Sequence, residues 1–375
     1  MNVSALDTPA ALVDVSRMHA NLERVASYCR ERGLAWRPHV KTHKTPELGA
    51  AQIAAGAAGL SVATPREAEA MSAVTNDILF AYPPVGRAKL ERLLRLPERV
   101  ELTVGLDSLD VLGELGSGAA ARGRAVGVLV EIDVGLQRVG VQMPEEAVAL
   151  AREAERLDGV VYKGVMLYPG HIRSPVEEQG PPLADVSRRL ERVLDALVSA
   201  DLAPAVVSGG STPTLFRAHE LTGLTEVRAG SCIFNDRSLA AIGACRWEDC
   251  AYTVLASVVS TAVPGRAVLD SGSKALAREE LRGPGAGYGV VLDRPEVTVG
   301  ALSEEHGVLD LSASDWRPRV GDRVRVIPNH VCVSVNLQDR LYGVSGDRVT
   351  DIWDVVARGR DYFNPDPASA PGEVR

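Results

Sequence analysis

The chain predicts an α/β fold, a (β/α)8 TIM barrel joined to a C-terminal all-β domain. Three observations predict it. From residue 14 to about residue 245, short β-branched or apolar runs alternate with longer Ala/Leu/Arg/Glu segments of helical period, the pattern of repeated βα units. Eight such units in about 230 residues match the size of a TIM barrel. After Ala251 the segments become short, β-rich and punctuated by Gly, Pro and Asp, which reads as a separate domain.

Taken in order, the opening run T-P-A-A-L-V-D is strand-like and precedes the first helix, which places it with the β domain. Residues 16–32 form a helix, because Met18, Leu22, Val25 and Cys29 fall three or four apart on one face. The barrel strands are A-W-R-P-H-V, G-L-S-V-A-T, D-I-L-F-A-Y, E-L-T-V-G-L-D, V-G-V-L-V-E-I-D-V, Y-K-G-V-M-L-Y, A-V-V-S-G-G-S and T-E-V-R-A-G-S. Residues 182–202 form another helix, with Val186, Leu190, Val193 and Leu197 on its buried face. No G-x-G-x-x-G opens a helix after the first strand, so a dinucleotide-binding sheet is the weaker alternative. The expected domains are the barrel at 14–248, the β domain at 1–13 and 249–365, and a frayed Pro-rich tail at 366–375.

Composition excludes several function classes. The 375 residues are 46% apolar and 24% charged, ordinary for a globular protein, and the net charge of −8 offers no basic field for nucleic acid. The N-terminus has no basic region followed by an apolar core, and no apolar run approaches the roughly 18 residues of a membrane span, so a cytoplasmic protein without a membrane partner is expected. The five cysteines are odd in number and scattered, unlike a disulfide framework. Cys245 and Cys250 lack a second ligand pair and do not make a structural zinc site.

In barrels of this type functional groups gather at the C-terminal ends of the strands. Here His39 and Lys41, Asp133, Tyr168 and His171, the run from Ser208 to Thr212, and Ser231 stand where strand patterns end. The stretch R-P-H-V-K-T-H-K crowds five potential cations into eight residues. Alternation puts Arg37, His39 and Lys41 on the inward face, where desolvation and cationic neighbours free a lysine amine for attack on a carbonyl. Taken alone, K-T-H-K is more simply a charge cluster on a solvated loop. What favours the nucleophile is a phosphate cradle at two further strand ends. Gly209, Gly210 and Gly230 permit close backbone approach, and Ser208, Ser211, Thr212 and Ser231 offer hydroxyls, as an aldehyde cofactor bearing a phosphate requires. In P-N-H-V-C-V-S-V-N-L, His330 and Cys332 face the same way on an extended strand and could ligate one borderline-soft ion; a buried Cys beside a satisfied His is the plain alternative.

These blocks, with E-I-D-V-G-L-Q-R-V-G-V, S-G-G-S-T, E-E-H-G and the opening D-T-P-A, resemble the fold type III pyridoxal-phosphate enzymes of the D-threonine aldolase and D-serine dehydratase group. The resemblance covers nearly the whole chain. It implies that Lys41 carries pyridoxal 5'-phosphate as a Schiff base with Arg37 and His39 beside it, while His43 and Lys44 continue the loop outward. It implies that Arg138 lies near the cofactor's phenolic oxygen, with pairing to Asp133 as the alternative, and that Tyr168 lines the pocket. His171 becomes the candidate base for a substrate hydroxyl, and His330 and Cys332 the ligands of a divalent ion, zinc or manganese. The implied protein is a homodimeric lyase of D-3-hydroxy amino acids, aldolase ahead of dehydratase, since Y-P-G-H points to the former and H-x-C to the latter. A metal-free amino-acid racemase and a cofactor carrier are the competing readings.

Overall fold

The computed structural model describes residues 1–281, 283 and 285–361; the tail expected at 366–375 lies outside the described residues. They fall into two compact units. One holds residues 28–172, 179–229 and 356–361, and the other holds residues 1–27, 173–178 and the described residues of 230–355. By comparison with the boundaries expected at 14 and 248, the first helix up to Ser27, residues 173–178 and residues 230–248 group with the β unit.

The first strand in the chain is β1 (Ala10–Asp14). The barrel unit then contributes β2 (Ala35–Trp36), β3 (Leu60–Val62), β4 (Asp77–Phe80), β5 (Glu101–Leu106), β6 (Val126–Ile132), β7 (Val160–Leu167), β8 (Val206–Gly209) and β9 (Glu226–Val227). These eight form one sheet in the order β2-β9-β8-β7-β6-β5-β4-β3, every pairing parallel. Each of the strands expected in the barrel is present. Helices cover the outer face and side chains fill the inner one, so β6 is buried at every residue, the continuous apolar pattern of a two-sided parallel strand.

Closure is made by a bridge rather than a full ladder. His39 pairs with Ser61, whose N–H donates to the Pro38 carbonyl at 2.9 Å and whose hydroxyl donates to the Arg37 carbonyl at 3.1 Å. Pro38 has no N–H of its own, so β2 stops at Trp36. The seam of the barrel is therefore the cationic stretch itself.

The β unit holds β10 (Tyr252–Ser260), β11 (Arg266–Leu269), β12 (Gly289–Val291), β13 (Arg294–Leu302), β14 (Gly307–Asp310), β15 (Arg323–Pro328), β16 (Arg340–Ser345) and β17 (Arg348–Asp354). Its sheet runs β11-β14-β13-β12-β15-β10-β1-β16-β17, and a further pairing of β10 with β11 closes six of these strands into a small barrel. β1 runs antiparallel to β10 and parallel to β16, so the opening strand joins this unit as its position suggested.

One segment departs from expectation. β15 ends at Pro328 and residues Val331–Asn336 form a short helix with His330 as its N-cap, not a strand. Its Val-rich sequence favours β structure, but tertiary contacts decide otherwise. The Asp236 carboxylate accepts the Val331 N–H at 3.1 Å, one of the donors a helix start leaves unpaired, and Ser334 donates to the Ala275 carbonyl at 2.6 Å. Cys245 and Cys250 pack with Leu239, Val290 and Ile327 in an apolar cluster. Among the described residues no helix is long and apolar enough to cross a membrane.

Candidate active site

The fold sorts the five cations of R-P-H-V-K-T-H-K into four tethered groups and one exposed amine. The Arg37 guanidinium reaches the first residues of two strands, forking onto Asp77 at 2.6 and 2.8 Å and giving its Nε to Glu226 at 2.7 Å. Those residues lie at the N-terminal end of the barrel. Arg37 therefore does not stand beside a cofactor at the strand C-termini, a correction to the expectation above, and it acts as a structural clamp. A Cβ on Gly59 would come within 2.2 Å of its guanidinium, which is why glycine stands there.

His43 and Lys44 do not continue outward; both are buried. Lys44 Nζ pairs with Glu67 at 2.6 Å, and the other Glu67 oxygen accepts the Ala63 N–H at 2.7 Å. Its carbonyl accepts the Ala357 N–H at 3.1 Å, so the returning C-terminal segment steadies this loop. The His43 ring lies 3.1 Å from Gln52 and accepts the Thr45 N–H, and burial pushes its pKa down to about 4 against the opposing hydrogen bonds. A His held below its ordinary value of about 6.5 stabilises the fold fully above that pH, and the contribution is lost as pH falls towards 4. We expect about 3 kcal/mol of acid-sensitive stability from this residue. Denaturant melts at pH 7, 5.5 and 4.5 should show a shallower acid slope for His43→Gln than for wild type, and equal slopes would refute the assignment.

His39 caps the next turn. Its Nδ1 accepts the Lys41 N–H at 3.3 Å, and burial, together with Lys41, Arg228 and Lys44, holds the ring well below the ordinary histidine range. The turn Val40–Thr42 breaks the strand alternation, so Lys41 is exposed at the barrel mouth rather than desolvated inside it. Among the described residues no carboxylate pairs with its ammonium.

Tyr168 gathers the site around this amine. Lys41 Nζ lies 5.7 Å from the centre of the Tyr168 ring and the Arg138 guanidinium 4.9 Å from it. A Cβ on Gly170 would stand 2.2 Å from the same ring. His171 follows, exposed, and a Cβ on Gly135 would stand 3.3 Å from its ring. The loop that carries Arg138 is built on Asp133, which accepts the N–H groups of Gly135 and Gln137 at 3.0 Å and the Gln142 amide at 2.9 Å. Although partial burial works upward, these donors hold Asp133 below the usual carboxylate value. Its oxygens are thus occupied by the loop, and Arg138 turns to Tyr168 instead.

Gly209 ends β8 and Gly210, Ser211 and Thr212 follow it, with Gly210 at φ +84, a backbone conformation that glycine adopts without strain. Ser208 differs from the expectation. Its fully buried hydroxyl donates to Glu226 at 2.6 Å and accepts from Arg228 at 2.8 Å, so it belongs to the barrel interior and not to the cradle. Arg228 was missed in the sequence. Buried at the end of β9 and donating to the Leu167 carbonyl at 2.9 Å, it links the clamp at Arg37 and Glu226 to the site. The cue was an arginine directly after a barrel strand, passed over in favour of the neighbouring Gly230 and Ser231. Those two fall in the β unit, where Ser231–Ile233 forms a helical turn. An exposed amine, an aromatic wall with a second cation, and a glycine-bearing loop together fit a phosphate-bearing aldehyde cofactor.

In the β unit His330 and Cys332 still meet, although on a helix start rather than a strand. The Cys332 side chain lies within hydrogen-bond reach of the His330 ring, and His330 Nδ1 is 2.5 Å from Glu279 Oε2. Burial opposes the charged imidazole, yet Cys332, Asp236 and Glu279 outweigh it and push His330 up to about 9. These surroundings favour a cation. Among the described residues no three His, Cys, Asp or Glu side chains cluster as ligands, so a metal held by His330 and Cys332 would keep open positions.

The family described as alanine racemase, N-terminal domain, matches residues 13–238, and the one described as putative serine dehydratase domain matches residues 251–344. The chain belongs to the alanine racemase N-terminal domain family and is thus a fold type III pyridoxal-phosphate enzyme. Within that class it is a member of the D-threonine aldolase and D-serine dehydratase group. It is 32% identical to the D-threonine aldolase of Arthrobacter sp. over 95% of this chain and 94% of that one. It is 35% identical to the D-threo-3-hydroxyaspartate dehydratase of Delftia sp. (strain HT23), over 93% of this chain and 97% of the relative. A cysteine-to-alanine mutant of D-threo-3-hydroxyaspartate dehydratase, solved in the metal-free form, superposes with a TM-score of 0.86 at 31% identity over 96% of this chain and 100% of that one.

Proposed function

We propose that the protein is a metal-assisted lyase of D-3-hydroxy amino acids and, within that class, a D-threonine aldolase that yields glycine and an aldehyde. The observation that carries this reading is His171, exposed beside the Gly135 loop on the same turn that presents Tyr168 to Lys41. That placement suits a base for the substrate's hydroxyl proton. Pyridoxal phosphate, when bound, supplies an electron sink for charge at the substrate's Cα. Lys41 would hold its aldehyde carbon, the stretch from Gly209 to Thr212 its phosphate, and Tyr168 and Arg138 the ring's surroundings. His330 and Cys332 would hold a zinc or manganese ion, which supplies a Lewis acid for an oxygen. His171 then accepts a proton from the hydroxyl, and general-base help of this kind contributes about a hundredfold to ten-thousandfold.

A dehydratase is the second reading, supported by the thiol of Cys332 and the similarity to the Delftia dehydratase. There Lys41 would accept the α-proton, and the products would be a keto acid and ammonia. Product analysis separates the two. Purified enzyme is incubated with D-threonine and with D-serine, with and without Zn²⁺ or Mn²⁺ after chelation. Glycine and acetaldehyde from D-threonine are expected; a keto acid and ammonia would replace the aldolase by the dehydratase, and racemisation without metal would refute both.

A further inference from the structure

We propose that Glu279 is the positioning residue of the candidate metal centre, the outer carboxylate that sets the tautomer and ring orientation of His330. This rests on the metal reading above and extends it to a residue outside the ligand pair. The Glu279 carboxylate takes the Nδ1 side of the ring at 2.5 Å. With Nδ1–H donated to a carboxylate, the lone pair lies on Nε2, and the imidazole becomes a better donor to a metal.

The neighbouring residues are arranged to keep that contact. Asn329, directly before His330, donates its amide to the Glu279 carbonyl at 2.8 Å and to the Gly287 carbonyl at 2.6 Å, and accepts from Arg237 at 3.1 Å. It thereby clasps the loop that carries Glu279 to the end of β15. On the other side of His330, buried Asp236 accepts the Val331 N–H at 3.1 Å and the Leu239 N–H at 3.0 Å. The backbone is thus held on both flanks while Glu279 holds the ring, which accounts for the asparagine in P-N-H-V-C. Folding alone does not call for the pair. Its side chains are 34% and 49% exposed, and ion pairs so open to water add little stability.

The test is Zn²⁺ affinity, measured by competition with a chromophoric chelator on chelator-treated wild-type protein and on Glu279→Ala, Glu279→Gln and His330→Ala. Glu279→Ala should bind Zn²⁺ about 10- to 100-fold more weakly while the metal-free protein melts at the wild-type temperature. Glu279→Gln, whose carbonyl can still accept the Nδ1–H, should fall between the two, and it carries the test if Glu279→Ala does not fold. Wild-type affinity in both glutamate variants would overturn the inference and leave the metal site standing. A wild-type protein that binds no Zn²⁺, or a His330→Ala variant that binds it equally well, would remove the metal site and the inference with it.

Discussion

Lys41→Ala is expected to lose the visible absorption of the bound cofactor and at least about a thousandfold of kcat/KM, because among the described residues no other exposed amine is presented to Tyr168 in this way. Its stability should barely change, since the side chain is exposed and unpaired with any described carboxylate. Lys44→Ala supplies the contrast. Lys44 is bound to buried Glu67, so its removal leaves a charge without a partner and should cost about 3 to 5 kcal/mol. Two lysines three residues apart thus have opposite signatures, one in the spectrum and one in the melt. If Lys44→Ala bleached the cofactor absorption and Lys41→Ala retained it, the assignment of the amine would be wrong.

Cys332→Ala and His330→Ala should each lower metal-stimulated turnover about a thousandfold, the scale of several kcal/mol expected from a Lewis acid at a developing charge. The cofactor spectrum should survive in both, because the residues of the two sites come from different compact units of the chain. Metal content by elemental analysis should fall in parallel with activity. Turnover that persists in both variants, or that ignores chelation of the wild type, would favour chemistry without a metal and revive the racemase reading.

Much of the fold was legible because its signals are local. Eight apolar runs between helical segments specify a parallel barrel, since each run must be buried on both faces and each return must cross over a helix. The shift in period after Ala251 marks the β unit for the same kind of reason. The glycine-rich loop after β8 and the H-x-C pair were readable as well, the first from its missing side chains and the second from its donor atoms.

What the sequence could not assign was the direction and the partner of each charged side chain. The stretch R-P-H-V-K-T-H-K contains two lysines, and its residue types do not tell which is exposed. That depends on Glu67, Glu226 and Asp77, which stand far away in the chain and draw Lys44 and Arg37 into ion pairs. The same holds for Ser208, turned inward by Glu226 and Arg228, and for residues 331–336, made helical where β propensity predicts a strand. Local pattern determined the architecture and named the candidate groups for the site, because burial periodicity and donor chemistry are written residue by residue. Only the tertiary structure decided which groups are tethered and which exposed, because a charge in a low-dielectric interior is settled by partners that the chain brings together from a distance.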